Sequence, residues 1–558
     1  MSPQTGILYV TMQPEPSLPA AQFHDWYNNE HGPLRLRLSS VDNGFRYRAS
    51  DLSSPSEASP QKPEWMAIYD VNDMSELIKP PYTTLREEGI KSPREFATMK
   101  QIAVDRKFFD LVSSRESPAF EKLEQVKAEG QGSFLLAASI RVKPGQGPEL
   151  DKWYDEEHIA MFQKIPGWLR TRRFVTAAVE GKPADDVEYL ALHDFTPENG
   201  IGGPEFRAAV STEWAQRLQK TAVESMSLRD YNLYYTFGPA PRDLESLKSP
   251  DTIGEWTYTS GATKTIPSTE GGAIESYVTT KDGVVLPYRL EGSSDPQAPL
   301  IVLANSVLVD YHIWDGFIKH FTATSVGKKY RFVRYLSRGR FTLPLDSKSV
   351  TIDVLASDII EILDALRVQN AAALIGVSLG GVTVLNTAVK YPGRISSFIS
   401  CDTSSKSPAG NDKAWGDRVA IAEKEGLKAS SGETIVGEEL AEMTTRRWFF
   451  KESYNNPDLA PILENVKTMV KTNSLSGFKK GVEALFAYDV KEEMKSSQVK
   501  GAFFVGSADG VLPNTMKEMS TNYGPNGAEY VVINDAGHLP MVEKPKEFSQ
   551  AVEKLLSS

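Results

Sequence analysis

Short unbroken apolar runs, set apart by turns rich in glycine, proline and polar residues, mark the second half of the chain. Residues 300–304, 371–377, 500–506 and 528–533 are such runs, and each reads as a buried strand. Residues 274–278 and 284–288 flank Lys281-Asp282-Gly283 and read as an opening hairpin. Helix-compatible residues run from Val382 to Lys390 and stop at Tyr391-Pro392-Gly393. This pattern predicts an α/β domain over residues 273–558.

The first half has a different pattern, and it contains itself twice. Trp26-Tyr27-Asn28-Asn29-Glu30-His31 returns as Trp153-Tyr154-Asp155-Glu156-Glu157-His158. A strand-like run precedes each copy, at 6–12 and 134–140, and Gly44-Phe45-Arg46-Tyr47 is matched by Gly167-Trp168-Leu169-Arg170. Glu64-Trp65-Met66-Ala67 is echoed by Glu188-Tyr189-Leu190-Ala191, and an aromatic strand closes each copy. The order strand-helix-strand-strand-helix-strand, twice over, predicts a duplicated α+β ferredoxin-like domain with copies at 1–120 and 130–238. Residues 239–272 hold Pro239, Pro241 and Pro250 without a sustained period, and read as a surface linker.

Chemistry concentrates in the second half. Gly376-Val377-Ser378-Leu379-Gly380 lies between a strand and a helix, the context in which a turn exposes a nucleophilic serine. Ser507-Ala508-Asp509 follows the strand 500–506, and Asp535-Ala536-Gly537-His538 follows the next one. In the order Ser378, Asp509, His538, the histidine takes the serine proton and the aspartate fixes the histidine tautomer. His31 and His158 read instead as structural, because no nucleophile or metal-ligand set accompanies them.

Composition narrows the partners. A net charge of −11 argues against nucleic acid and anionic membranes, and no run approaches the ~20 apolar residues of a membrane span. Cys401 is the only cysteine, so neither an internal disulfide nor a cysteine-based metal site is expected. No cofactor is implied, and the expected location is cytoplasmic.

The Trp-Tyr-x-x-Glu-His helix and the strand order of residues 1–238 resemble the EthD-like family of dimeric α+β barrels. That resemblance implies that two sheets pack face to face within one chain. Free edge strands and helix faces would then favour a homodimer held by this half. Asn305-Ser306, Asp310-Tyr311-His312-Ile313-Trp314-Asp315, Arg334-Tyr335, Arg338-Gly339, Cys401-Asp402-Thr403-Ser404 and Gly537-His538-Leu539-Pro540 resemble the 3-oxoadipate enol-lactonase branch of α/β-hydrolases. The resemblance covers about residues 274–558 and implies a small-molecule lactone or ester as substrate. It also implies a helical lid over about 405–490, and an oxyanion hole made by the N–H groups of Val307 and Leu379. Trp314, Arg338, Trp415 and Trp448 are the candidate pocket residues. Two departures alter the pocket lip: Leu336-Ser337 after Arg-Tyr, and Arg340-Phe341 after Arg338-Gly339. The two-domain order also resembles vibralactone-type cyclases, in which the acyl-enzyme would be captured internally rather than by water. A third reading is a binding or assembly module carrying an idle hydrolase fold.

Overall fold

The computed structural model describes residues 3–87, 91–121, 133–180, 187–249, 255–258, 261–269 and 271–557. The chain divides into two compact units, residues 1–260 and 261–558.

The first unit is a closed barrel of eight strands: β1 (Gly6–Pro14), β2 (Val41–Ala49), β3 (Trp65–Val71), β4 (Ile102–Glu116), β5 (Phe134–Val142), β6 (Trp168–Thr176), β7 (Glu188–Phe195) and β8 (Val223–Thr236). Around the barrel they run β1-β3-β2-β8-β5-β7-β6-β4. The described pairings are antiparallel. The expectation of free edge strands is corrected here: β2 pairs with β8 and β4 with β6, so each copy's edges are taken by the other. The reason is strand length. β4 has 15 residues and β8 has 14, against 7 to 9 for the other six. The first part of each long strand pairs inside its own copy, and the last part reaches the other copy.

Alternation along the strands sorts the side chains into layers. Met66 and Ile68 join Phe174, Leu190, Leu192 and Tyr231 from the other copy in one buried cluster. Trp65, Ala67 and Tyr69 face the other way, onto Phe23, Trp26 and Tyr27 of the first copy's helix.

Both copies of the repeated motif contain a π-helical turn, Tyr27–His31 between helices Ala20–Trp26 and Gly32–Leu36, and Tyr154–His158 between Gly147–Trp153 and Ile159–Phe162. The Gly32 N–H bonds to the Tyr27 carbonyl and the Ile159 N–H to that of Tyr154, each five residues back. Rings five apart therefore meet: Trp26 lies 4.6 Å from His31, and Trp153 stacks on His158 at 4.0 Å.

A sheet of ten strands, nine of them within the second unit, comprises β9 (Glu255–Tyr258), β10 (Gly261–Ile266), β11 (Ala273–Thr279), β12 (Val285–Gly292), β13 (Leu300–Ala304), β14 (Arg331–Tyr335), β15 (Ala373–Val377), β16 (Ser397–Cys401), β17 (Lys500–Gly506) and β18 (Glu529–Ile533). Their order is β18-β17-β16-β15-β13-β14-β12-β11-β10-β9. β9 and β10 fall where a structureless linker was expected. The β-branched and aromatic residues of Trp256-Thr257-Tyr258 and Thr263-Lys264-Thr265-Ile266 suit a pleated strand better than a coil. From β14 to β18 the strands are parallel, so their carboxyl ends share one edge. Between β16 and β17 lies a helical insertion with helices Asn411–Glu425, Glu438–Trp448, Ala460–Lys471 and Leu475–Gly481. No described helix is long and apolar enough to cross a membrane.

Candidate active site

Ser378 leaves β15 with φ 57° and ψ −116°, a conformation that costs a non-glycine residue on the order of 1–3 kcal/mol. The flanking glycines make that turn possible. A Cβ on Gly376 would lie 2.2 Å from the Gly380 carbonyl oxygen, and one on Gly380 would lie 2.2 Å from that of Ala304. The Ser378 N–H donates to the Cys401 carbonyl at 2.9 Å, and helix Leu379–Lys390 starts at the next residue.

Asp509 sits on the loop after β17 and His538 on the loop after β18. Nδ1 of His538 lies 2.7 Å from Oδ2 of Asp509, and the two side chains are 13% and 15% exposed. Sheet order thus brings Ser378, Asp509 and His538 to the carboxyl ends of β15, β17 and β18, the edge at which open α/β sheets hold ligands.

The His538 loop is fixed by the insertion. The His538 N–H donates to the Trp448 carbonyl at 2.6 Å, and the Trp448 ring stacks on the imidazole at 5.5 Å. Glu543 Oε2 accepts from the Gly537 N–H at 2.6 Å. Its Oε1 accepts from the Phe450 N–H at 2.9 Å and from the Ser453 hydroxyl at 2.6 Å. One buried carboxylate therefore holds the histidine loop to the end of helix Glu438–Trp448. A Cβ on Gly537 would meet the Trp448 oxygen at 2.1 Å, so this approach requires glycine.

Asp402, at the end of β16, is a site residue that sequence reasoning missed. It is buried at φ 46°, and its Oδ1 accepts the Gly506 N–H at 2.9 Å. Burial, with the charge of neighbouring Asp509, pushes its carboxyl well above the usual carboxylate range. Its Oδ2 is buried without a hydrogen-bond partner among the described residues. No local pattern announces Asp402; it appeared in the sequence only within Cys401-Asp402-Thr403-Ser404.

The loop after β13 carries Val307, followed by Leu308 at φ 70°. Asn305 anchors this loop, donating to the Tyr335 carbonyl at 2.7 Å and accepting from Trp314 Nε1 at 2.9 Å. Arg340, one of the two departures noted above, reaches the Leu308 carbonyl at 3.4 Å and Thr472 of the insertion at 2.9 Å. Ser306 Oγ is buried without a hydrogen-bond partner among the described residues.

The four candidate pocket residues fare differently. Arg338 is not free to meet a substrate: its guanidinium is held by Asp358 at 2.7 and 2.8 Å and by Asp282 at 2.6 Å twice, all in a buried cluster. Trp314 is a core residue, packed against Phe317 and Phe548 with its N–H taken by Asn305. Trp415 meets Phe478 edge to face at 6.2 Å and carries Arg418 over its ring. Only Trp448 of the four is placed against a member of the expected triad. Among the described residues no group of three or more His, Cys, Asp or Glu could hold a metal ion.

Comparison with known proteins follows this geometry. A family model described as the alpha/beta hydrolase fold matches residues 330–545. The chain is 28% identical over 283 residues to 3-oxoadipate enol-lactonase 1 of Acinetobacter baylyi, a match spanning 50% of this chain and 96% of that one. It is 26% identical to enol-lactonase 2 of the same organism, over 50% of this chain and 95% of that one. The crystal structure of the enol-lactonase from Burkholderia xenovorans LB400 aligns with 25% identity and a TM-score of 0.44, covering 50% of this chain and all of that one. The C-terminal half therefore has an α/β-hydrolase fold that resembles 3-oxoadipate enol-lactonases.

Proposed function

We propose that the second unit is a serine hydrolase that opens a small-molecule lactone or ester through an acyl-enzyme on Ser378. One observation carries this reading. A strained serine, at φ 57°, shares a sheet edge with a histidine–carboxylate pair at 2.7 Å. Ser378 Oγ attacks the substrate carbonyl while His538 Nε2 takes its proton, and Asp509 holds Nδ1 and stabilises the imidazolium. The N–H groups of Val307 and Leu379 receive the developing oxyanion; each such donor is worth roughly 10²–10³ in rate. His538 then protonates the leaving oxygen, and water attacks the acyl carbon to release the acid. The names of the enol-lactonase relatives support a lactone or ester as substrate.

The same acyl-enzyme supports a second fate. Trp448 covers one face of His538 and is itself buried, which favours a site with restricted water. An acyl chain with its own hydroxyl or enol oxygen would then close a ring onto the carbonyl. In this reading the insertion is a lid.

A fluorophosphonate probe tests the nucleophile: wild type takes one label at Ser378, and Ser378→Ala takes none. A panel of lactones and aryl esters in ¹⁸O water then separates the two fates. A hydrolysed product carries the heavy oxygen and a cyclised product does not. Equal labelling of the Ala variant would exclude the assignment.

A further inference from the structure

The two copies of the Trp-Tyr-x-x-Glu-His motif differ in what surrounds their histidines. In the first copy the histidine and the neighbouring polar side chains have partners inside the protein, although Trp26 Nε1 is buried without a hydrogen bond among the described residues. His31 Nδ1 lies 3.0 Å from Glu95, Glu30 pairs with Arg94 at 3.0 Å, and Asn28 and Asn29 bond to Asp243. In the second copy no carboxylate bonds to His158 among the described residues. The ring is 5% exposed, stacks on Trp153 at 4.0 Å and lies 4.3 Å from Phe162. The Ala209 carbonyl is near it, yet Nδ1 makes no hydrogen bond among the described residues.

That orphan atom belongs to a residue lining a cavity of about 290 Å³ between the second copy's helices and its sheet. Its walls include Leu136, Ile140, Phe162, Phe206 and Leu218, and no charged side chain is among the described lining residues. His193 is a second polar group of the wall, but its Nδ1 is already 2.9 Å from Thr171 Oγ1. Val210, Met226 and Leu228 also line the cavity and are 43%, 47% and 47% exposed. A mainly apolar lining, with Tyr154 and the exposed Gln219 as its other polar side chains, and an unsatisfied buried polar atom are the features of a small-molecule site. They do not describe a packing defect, because an unpartnered buried polar group costs about 1–3 kcal/mol that a ligand oxygen would recover.

We propose that the barrel unit carries a ligand site of its own in this cavity, for an uncharged, mainly apolar molecule with a single hydroxyl that donates to His158 Nδ1, the other ring nitrogen being directed to the Ala209 carbonyl. Aromatic or unsaturated skeletons suit it best, since Trp153, Phe162 and Phe206 supply flat apolar faces. A neutral ligand is favoured over an anion, because no charged side chain is among the described lining residues and Arg173, behind the Tyr154 ring, is held by Asp151. The first copy serves as the internal control: its histidine already has an acceptor.

The test uses the full chain and three probes of one shape: 4-ethylphenol, 4-ethyltoluene without the oxygen, and 4-ethylbenzoate with a charge. Binding is read by calorimetry and by quenching of tryptophan fluorescence. The phenol should bind about fivefold to tenfold more tightly than the toluene, the value of one hydrogen bond, and the benzoate should not bind. His158→Leu should erase the preference for the phenol. Val210→Glu, at an exposed rim position that tolerates charge, should weaken both neutral probes, while His31→Leu should leave the preference intact. Unchanged phenol binding in both His158→Leu and Val210→Glu would place the probe elsewhere and overturn the proposal. Equal affinity for phenol and toluene in wild type, or no binding of either, would also overturn it.

Discussion

Each unit holds a histidine beside a carboxylate, and the two pairs are alike in length. His538 lies 2.7 Å from Asp509 and His31 lies 3.0 Å from Glu95. Their surroundings differ. The first pair shares a sheet edge with Ser378, whose backbone is strained, and Trp448 stacks on its imidazole. The second pair has Trp26 and Tyr27 against its imidazole at 4.6 and 5.0 Å. A short histidine–carboxylate distance is therefore no signature of catalysis by itself. What distinguishes the pair in the second unit is a serine held at φ 57° between close-packed glycines at the same sheet edge.

The largest expected effect breaks the comparison at its nucleophile. Ser378→Ala should lower kcat on an aryl ester by about 10⁴-fold or more without changing the unfolding temperature. A variant that keeps most of its rate removes Ser378 from the reaction. Matched carboxylate substitutions come next. Asp509→Asn should cost about 10³–10⁴ in kcat, because the imidazole loses its oriented tautomer. Glu95→Gln should leave kcat within about twofold yet destabilise the barrel by roughly 1–2 kcal/mol, since a charged acceptor for His31 becomes a neutral one. Esterase assays and denaturant unfolding on both variants would reveal an exchange of these phenotypes.

Acid sharpens the contrast further. Burial holds His31 at about 4 and His193 at about 3, against an ordinary value of 6.5. Below 6.5 the unfolded chain takes up protons that the folded barrel refuses. Its stability is therefore complete above about pH 6.5 and falls as pH drops toward 4, by about 1.4 kcal/mol per pH unit for each histidine. Hydrogen exchange of β1 and β3 amides at pH 7 and pH 5 measures this, and His193→Gln should flatten the slope. Slower exchange-competent opening at pH 5 would contradict it. The smallest effect concerns the clamp on the histidine loop: Glu543→Gln should lower kcat about tenfold with little change in KM, as His538 loses its fixed position. An altered KM at constant kcat would instead assign Glu543 to substrate binding.

The strands and the elbow were legible because their signals are local. Unbroken apolar runs mark β13, β15 and β17, and Gly376-Val377-Ser378-Leu379-Gly380 carries its own steric logic. The sequence repeat likewise shows in the element order of the barrel. Three features were illegible. Closure of the barrel depends on β4 and β8 outrunning their neighbours, which no hydropathy period encodes. Arg338 resembled a pocket residue until Asp282 and Asp358, each distant in sequence, were placed on either side of it. Asp402 gains its character from burial and from the charge of Asp509, on a neighbouring strand's loop, and one strand read alone shows only a polar residue after Cys401.

The π-turns have a consequence for how the barrel half tolerates change. Each is one residue longer than the α-helical turn it replaces, so what the motif stores is a count as well as a composition. Removing a single residue, such as Asn29 or Glu156, would leave a chain that still forms a helix and still contains the tryptophan, tyrosine and histidine. The turn would then close as ordinary α-helix, with the histidine four residues after the tryptophan and still on its face. What the extra residue adds is a local widening of the helix. Deleting the exposed Glu156 should therefore destabilise the barrel less than replacing Trp153 or His158, a difference that denaturant unfolding of the variants measures.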